Sequence, residues 1–204
     1  GGCILAPQQG INMEIEIIFD GFCLSCDGVE LLRHTSDQPF ICLTQADFHY
    51  SSKNGQHLVK NRLANWIPLS GFELGDGWVR FFNGEVEVKT QLTKEDQGVG
   101  IDLCLPEGFN FARLQLPASA EEAVYGGGMQ FSHLNLRGKQ FPIWTCEAGV
   151  GRNKRHLATI LADLVAGAGG NYWTTYNPQP VFLTSRGAGY MLDSDNYSCL
   201  DFRG

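Results

Sequence analysis

Apolar and polar residues alternate with a period of two along most of this chain, the signature of half-buried strands. From Ile11 to Leu24, Met13, Ile15, Ile17 and Phe19 alternate with Asn12, Glu14 and Glu16 until Asp20-Gly21 supplies a turn. Phe22-Cys23-Leu24 and Val29-Glu30-Leu31-Leu32 then flank Asp27-Gly28, a dipeptide suited to a two-residue I′ hairpin turn. Residues 37–70 predict short strands and loops around Phe40-Ile41-Cys42-Leu43, Phe48-His49-Tyr50 and His57-Leu58-Val59, separated by polar turns such as Ser51-Ser52-Lys53-Asn54-Gly55. Pro68 cannot donate to a ladder, so Trp66-Ile67-Pro68-Leu69 reads as a loop that inserts apolar side chains. The clearest hairpin joins Trp78–Phe82 to Val86–Leu92 through Asn83-Gly84, again a I′ signal between β-formers.

Further strands are expected at Gly100–Leu105, Phe109–Leu116, Tyr172–Tyr176, Pro180–Thr184, Gly189–Asp193 and Tyr197–Phe202. One stretch departs from that period. Leu157, Ile160, Leu161 and Leu164 recur at helical spacing within Lys154–Ala166, and Gly167 then Gly169-Gly170 end the run. Many short strands with turns every eight to twelve residues imply an all-β, antiparallel β-sandwich with at most one short helix. No repeat, linker or low-complexity segment divides it, so residues 1–204 are expected to form a single domain, cut from a longer polypeptide because the chain stops directly after a strand.

Composition narrows the function classes. The net charge of −7 and the lack of clustered Lys and Arg exclude a nucleic-acid partner, which needs cations to displace counterions. Nowhere do eighteen apolar residues run together, and GGCILAPQQG has neither the basic start nor the apolar core of a leader, so no membrane partner is expected. Seven cysteines, odd in number and scattered, make a poor disulfide framework and point to a reducing, cytoplasmic setting. Cys23 and Cys26 form a lone C-x-x-C inside a hairpin, without the second pair a zinc site requires, and the five histidines lack metal spacing. No metal and no cofactor is expected. Gly126-Gly127-Gly128 has neither a P-loop ending nor GxGxxG spacing and reads as a bulge that re-aims a strand. Ser132 and His133 are adjacent on the chain and point to opposite faces, so they form no nucleophile–base pair.

Chemistry concentrates between Glu122 and Arg152. Gly138 and Pro142 pin the backbone around Phe141 and Trp144, and Glu147 stands between that aromatic cluster and the Gly149-Val150-Gly151-Arg152 turn. An acid beside an indole and a guanidinium can grip a sugar, stacking on its face and bonding hydroxyls at its edge. Arg137, Lys139, Glu147 and Arg152 are the polar candidates of the stretch, with Gln130 and Trp144 beside them, and Glu147, Trp144, Arg152 and Gln130 are the expected substrate-binding residues, with no catalytic residue among them.

The run Tyr125-Gly126-Gly127-Gly128-x-Gln130-Phe131, followed by Leu134-Asn135-Leu136-Arg137-Gly138-Lys139, resembles the signature of the amino-terminal β-sandwich of family 31 glycoside hydrolases, the α-glucosidase family. Phe141-Pro142-x-Trp144-Thr145-x-Glu147-x-Gly149-Val150-Gly151-Arg152, with Gly169-Gly170-Asn171-Tyr172 and Pro178-Gln179-Pro180, most resembles its sulfoquinovosidase branch. The resemblance implies a sandwich like galactose mutarotase, packed against a (β/α)₈ barrel of the same polypeptide that carries two catalytic aspartates. Such a barrel takes about 250 residues, so those aspartates lie outside this chain, which alone is expected to be inactive. It further implies that Glu147 occupies the place of an acid that helps hold the sugar, while Met129 stands where the family usually has Glu. The expected function is thus a substrate-binding loop lent to a retaining α-glycosidase acting on α-sulfoquinovosides. A stand-alone carbohydrate-binding or regulatory sandwich, or an α-glucosidase or α-xylosidase of the same family, remain the alternatives.

Overall fold

A computed structural model describes residues 12–96 and 98–203. Ile11, Cys3, the first ten residues read for a leader, and Gly204 lie outside the described residues. The fold is all-β and antiparallel with one short helix, as the period of two predicts. Contacts divide the described residues into two compact units, one of 12–47 and 62–118, the other of 48–61 and 119–203. No linker marks the division because the chain crosses it three times, twice inside strands of one hairpin.

The first unit begins with the meander β1 (Met13–Ile18), β2 (Gly21–Cys26) and β3 (Val29–Thr35), whose expected Asp27-Gly28 turn has φ of 48° and 78°. β4 (Ile41–Thr44) is buried along its whole length and runs between partners. β5 (Ala46–Lys53) and β6 (Gln56–Leu63) come next in the chain, with most of their length in the second unit, as a hairpin of two eight-residue strands closed by Asn54-Gly55, longer than the short pieces expected from sequence. Their sparse apolar content hides them, since most positions face solvent and alternation has nothing to mark. β7 (Ile67–Pro68) is a two-residue strand on the edge of the sheet ordered β12-β4-β7, where the missing Pro68 N–H costs nothing; β12 is Phe111–Leu114.

The remaining sheet, ordered β11-β10-β9-β8, comprises β8 (Gly71–Gly75), β9 (Trp78–Asn83), β10 (Val86–Glu95) and β11 (Gly98–Asp102). Its central hairpin turns one residue later than Asn83-Gly84 predicts. Asn83 pairs with Val86, so the loop is Gly84-Glu85 with only Gly84 at positive φ, 62°, the requirement of a II′ turn. Phe22, Leu24, Leu32, Ile41, Leu43, Val79, Phe81 and Val88 close one core between these sheets. Truncating a ring such as Phe81 in it costs about 3–5 kcal/mol. His34 is also fully buried there, its ring 5.0 Å from Phe81. The Phe40 N–H donates to its Nδ1 at 3.2 Å, so Nε2 carries the proton towards the Ser70 carbonyl at 3.3 Å. Burial holds its pKa below the ordinary imidazole value, with the Ser70 carbonyl opposing.

In the second unit β13 (Val124–Gly128), β15 (Pro178–Thr184) and β16 (Gly189–Met191) form one sheet. β14 (Gln140–Ile143) and β17 (Ser198–Asp201) form another. The triple glycine is the expected bulge: the β13–β15 register shifts between Gly126 and Gly128, and a Cβ on Gly128 would sit 2.2 Å from the Asn177 carbonyl. The helix, α1 (Leu157–Ala166), starts three residues later than its apolar pattern suggests and stops at Gly167 in the left-handed region. Its apolar face lies in water. Leu164 and Val165 are 78% and 86% exposed, and only Thr159 is buried. Among the described residues no helix is long and apolar enough to cross a membrane. Tyr172–Tyr176, expected as a strand, is irregular, because its threonines bond the loop beside it in place of a ladder.

Candidate substrate-binding loop

Residues 144–152 leave β14 without regular structure, and their backbone is fixed from both sides. On one side the Cys146 N–H donates to the Thr175 carbonyl at 2.9 Å, and Thr174 Oγ1 donates to the Ala148 carbonyl at 2.9 Å. On the other the Glu147 N–H donates to the Gly55 carbonyl at 2.9 Å, while Gln56 Nε2 donates to the Glu147 carbonyl at 2.8 Å. Further on Val150 forms a parallel bridge to Gly169. Gly149, at φ 69°, permits this lamination, for a Cβ there would lie 2.7 Å from the Gly170 nitrogen and 2.8 Å from the Ala168 carbonyl.

Each of the four candidate side chains has partners of its own. Glu147 is half-buried and accepts the Tyr176 hydroxyl on Oε1. Trp144 meets Tyr50 and Tyr197 edge-on at 6.2 and 5.8 Å between ring centres, and its buried indole N–H has no acceptor among the described residues. The cleft beside it, bounded by His57, Pro142, Trp144, Trp173 and Tyr197, holds about 70 Å³. That is room for waters and not for a sugar ring. Arg152 donates to the carbonyl of Thr174 and, at 3.4 Å, to its hydroxyl, which ties the guanidinium to the neighbouring segment.

Gln130 is 5% exposed and its amide is spent on its own turn. Oε1 accepts the Ser132 and His133 N–H groups at 2.6 and 3.0 Å, and Nε2 donates to the His133 carbonyl at 2.7 Å. It braces the turn where Phe131 takes φ 56°, and its burial turns the amide away from solvent. Among the described residues no hydrogen bond, ion pair or ring contact joins any two of the four. The partners of Glu147 and Arg152, namely Tyr176, Thr174, Gly55 and Gln56, carry no local signal of such a role. Only the Asn54-Gly55 turn was visible in the sequence, and nothing in it said where the hairpin would point.

Glu122, at the head of the stretch, is a structural acid. Its side chain is 1% exposed, with Ser119 N–H donating to Oε2 at 3.0 Å and Arg186 Nε to Oε1 at 3.2 Å. Burial pushes its pKa up, but the Thr184 hydroxyl beside it, the bonds from Ser119 and Arg186 and the guanidinium charge outweigh it and hold the carboxyl below its ordinary value.

The chain as a whole is similar to enzymes of known activity. The chain is 33% identical over 190 residues to the sulfoquinovosidase of Escherichia coli K12, which covers 90% of this chain and 28% of that enzyme. It is 30% identical over 192 residues to the sulfoquinovosidase of Agrobacterium fabrum, covering 94% of this chain and 29% of that enzyme. The chain is similar to the sulfoquinovosidases. A solved family 31 sulfoquinovosidase from E. rectale, in complex with an aza-sugar inhibitor, superposes with a TM-score of 0.84 at 29% identity over 94% of this chain and 29% of that one. The family 31 resemblance carried by the Tyr125–Lys139 and Phe141–Arg152 motifs thus extends over nine tenths of the sequence. The chain spans under a third of the length of these sulfoquinovosidases. No family model matches it.

Proposed function

We propose that this chain is the amino-terminal, non-catalytic β-sandwich part of a longer retaining α-glycosidase, a sulfoquinovosidase, and that Glu147 touches the sugar at the rim of a catalytic barrel in the same polypeptide. The observation that carries the reading is the similarity to sulfoquinovosidases along nine tenths of this chain and under a third of theirs. A (β/α)₈ barrel takes about 250 residues and alternates strand with helix, whereas the described residues contain one helix. The exposed apolar face of α1 supports a missing neighbour, since Leu157, Leu161, Leu164 and Val165 in water leave burial energy unused.

Within the site Glu147 binds directly, Trp144 and Arg152 shape the loop that carries it, and Gln130 holds the adjoining turn. The substrate is an α-sulfoquinovoside. No metal or cofactor is required, because hydrolysis by two carboxylates needs none. The six free thiols among the described residues suit a reducing cytoplasm.

Nitrophenyl α-glucoside and its 6-sulfonate analogue test the assignment. The complete polypeptide should hydrolyse the sulfonate, and turnover by these 204 residues alone would overturn it. Glu147→Gln in the complete polypeptide should lower kcat/KM by about 30- to 100-fold, the loss of one charged hydrogen bond in the transition state. Unchanged kinetics would remove Glu147 from the site.

A further inference from the structure

We propose that Tyr176 and the tip of the β5–β6 hairpin are positioning residues that preset the Glu147 carboxylate for the sugar. This rests on the reading of Glu147 as a substrate contact, and it concerns how a loop residue can hold a defined geometry.

Glu147 has no helix or strand to orient it. The hairpin tip does that work on its backbone: Gly55 takes the N–H and Gln56 supplies a donor to the carbonyl, so both peptide groups of Glu147 are engaged. The tip also lies against the root of the side chain, for a Cβ on Gly55 would be 3.1 Å from Glu147 Cβ. Gly55 is at φ 73°, where the glycine both forms the turn and leaves that space. Buried Cys146 seals the junction, its sulfur taking the His57 N–H at 3.4 Å.

Tyr176 fixes the other end. The bond between Cys146 N–H and Thr175 carbonyl sets segments 146–147 and 175–176 side by side, and the next residues along join through the Tyr176 hydroxyl and Glu147 Oε1. Thr175, 4% exposed, anchors that rung by donating its hydroxyl to the Met129 carbonyl at 2.9 Å. Tyr176 itself is 63% exposed, so it is held by the anchored rung beneath it and by the bond from its hydroxyl to the carboxylate. The phenol titrates above its ordinary value, chiefly through the hydrogen bond to Glu147. A carboxylate has acceptor sites on both oxygens. With Tyr176 on Oε1, Oε2 stays available to a sugar hydroxyl, and the rotamer is selected before substrate arrives.

Two measurements test this. In the complete polypeptide, Tyr176→Phe should lower kcat/KM about ten-fold with an unchanged melting temperature, and this effect should vanish in a Glu147→Gln background. Wild-type kinetics in Tyr176→Phe, or an equal loss in both backgrounds, overturns the inference. In this chain, an NMR titration of carbon-labelled tyrosine should show Glu147→Gln bringing the Tyr176 pKa down towards its ordinary value. No change there overturns the pairing. If that shift is seen while Glu147→Gln leaves kinetics intact, the pairing stands and the substrate reading of Glu147 falls, and with it the role given to Tyr176.

Discussion

Replacing Glu122 with Gln tests how this unit holds the segment that leads into β13. Gln keeps the shape but removes the charge from a side chain that is 1% exposed and bonded to Ser119 N–H and Arg186 Nε. Hydrogen bonds to a charged group contribute about 1.5–3 kcal/mol against 0.5–1.5 for neutral ones, so two weakened bonds sum to about 2–3 kcal/mol at neutral pH. The loss should stop short of the roughly 3–5 kcal/mol of a stranded buried charge, because the Arg186 side chain keeps 30% of its surface in water. The sign with pH follows from the depressed carboxyl pKa. The native state binds fewer protons than the unfolded one, so the contribution is full above the ordinary carboxylate value and is lost as pH falls through the lower native value. Urea unfolding followed by circular dichroism, repeated from about pH 7 to about pH 3, reads both effects. At an m-value of about 1–3 kcal/mol/M the midpoint should fall by about 1–2 M at neutral pH, and the gap to wild type should close in acid. Equal midpoints at neutral pH, or a gap that does not change with pH, would refute the reasoning.

Gly149→Ala should destabilise by about 2–4 kcal/mol, the sum of a left-handed penalty of about 1–2 and a clash with backbone that cannot move aside. Gly28→Ala, at φ 78° with nothing within 4 Å of the added carbon, should show only the first part in the same unfolding assay. Cys104, the exposed thiol, should react first with iodoacetamide, while buried Cys146 should react only as the chain unfolds; mass spectrometry of timed samples ranks them. Burial also raises the pKa of Cys23, Cys26 and Cys199, which slows them further.

Features that depend on neighbours along the chain are legible in the sequence. Alternation set the strands of the first unit, because a strand with one face in a core must repeat every two residues, and Phe22, Leu24, Val79, Phe81 and Val88 all fall on that face. Gly126–Gly128 announced the bulge, and the motifs between Tyr125 and Arg152 announced the sulfoquinovosidase resemblance and singled out Glu147. The tertiary structure alone decided what depends on residues far apart. It moved the hairpin turn to Gly84-Glu85, where a single glycine meets the φ requirement. It placed the helical apolar stripe of α1 in water, since periodicity defines a face without saying what will cover it. It also gave Glu147 its surroundings. Gly55 and Tyr176 stand 92 and 29 positions from Glu147 in the chain, and no local pattern could pair them, because the hairpin and the irregular 172–176 segment meet the loop through backbone and side-chain bonds that form once the unit has folded.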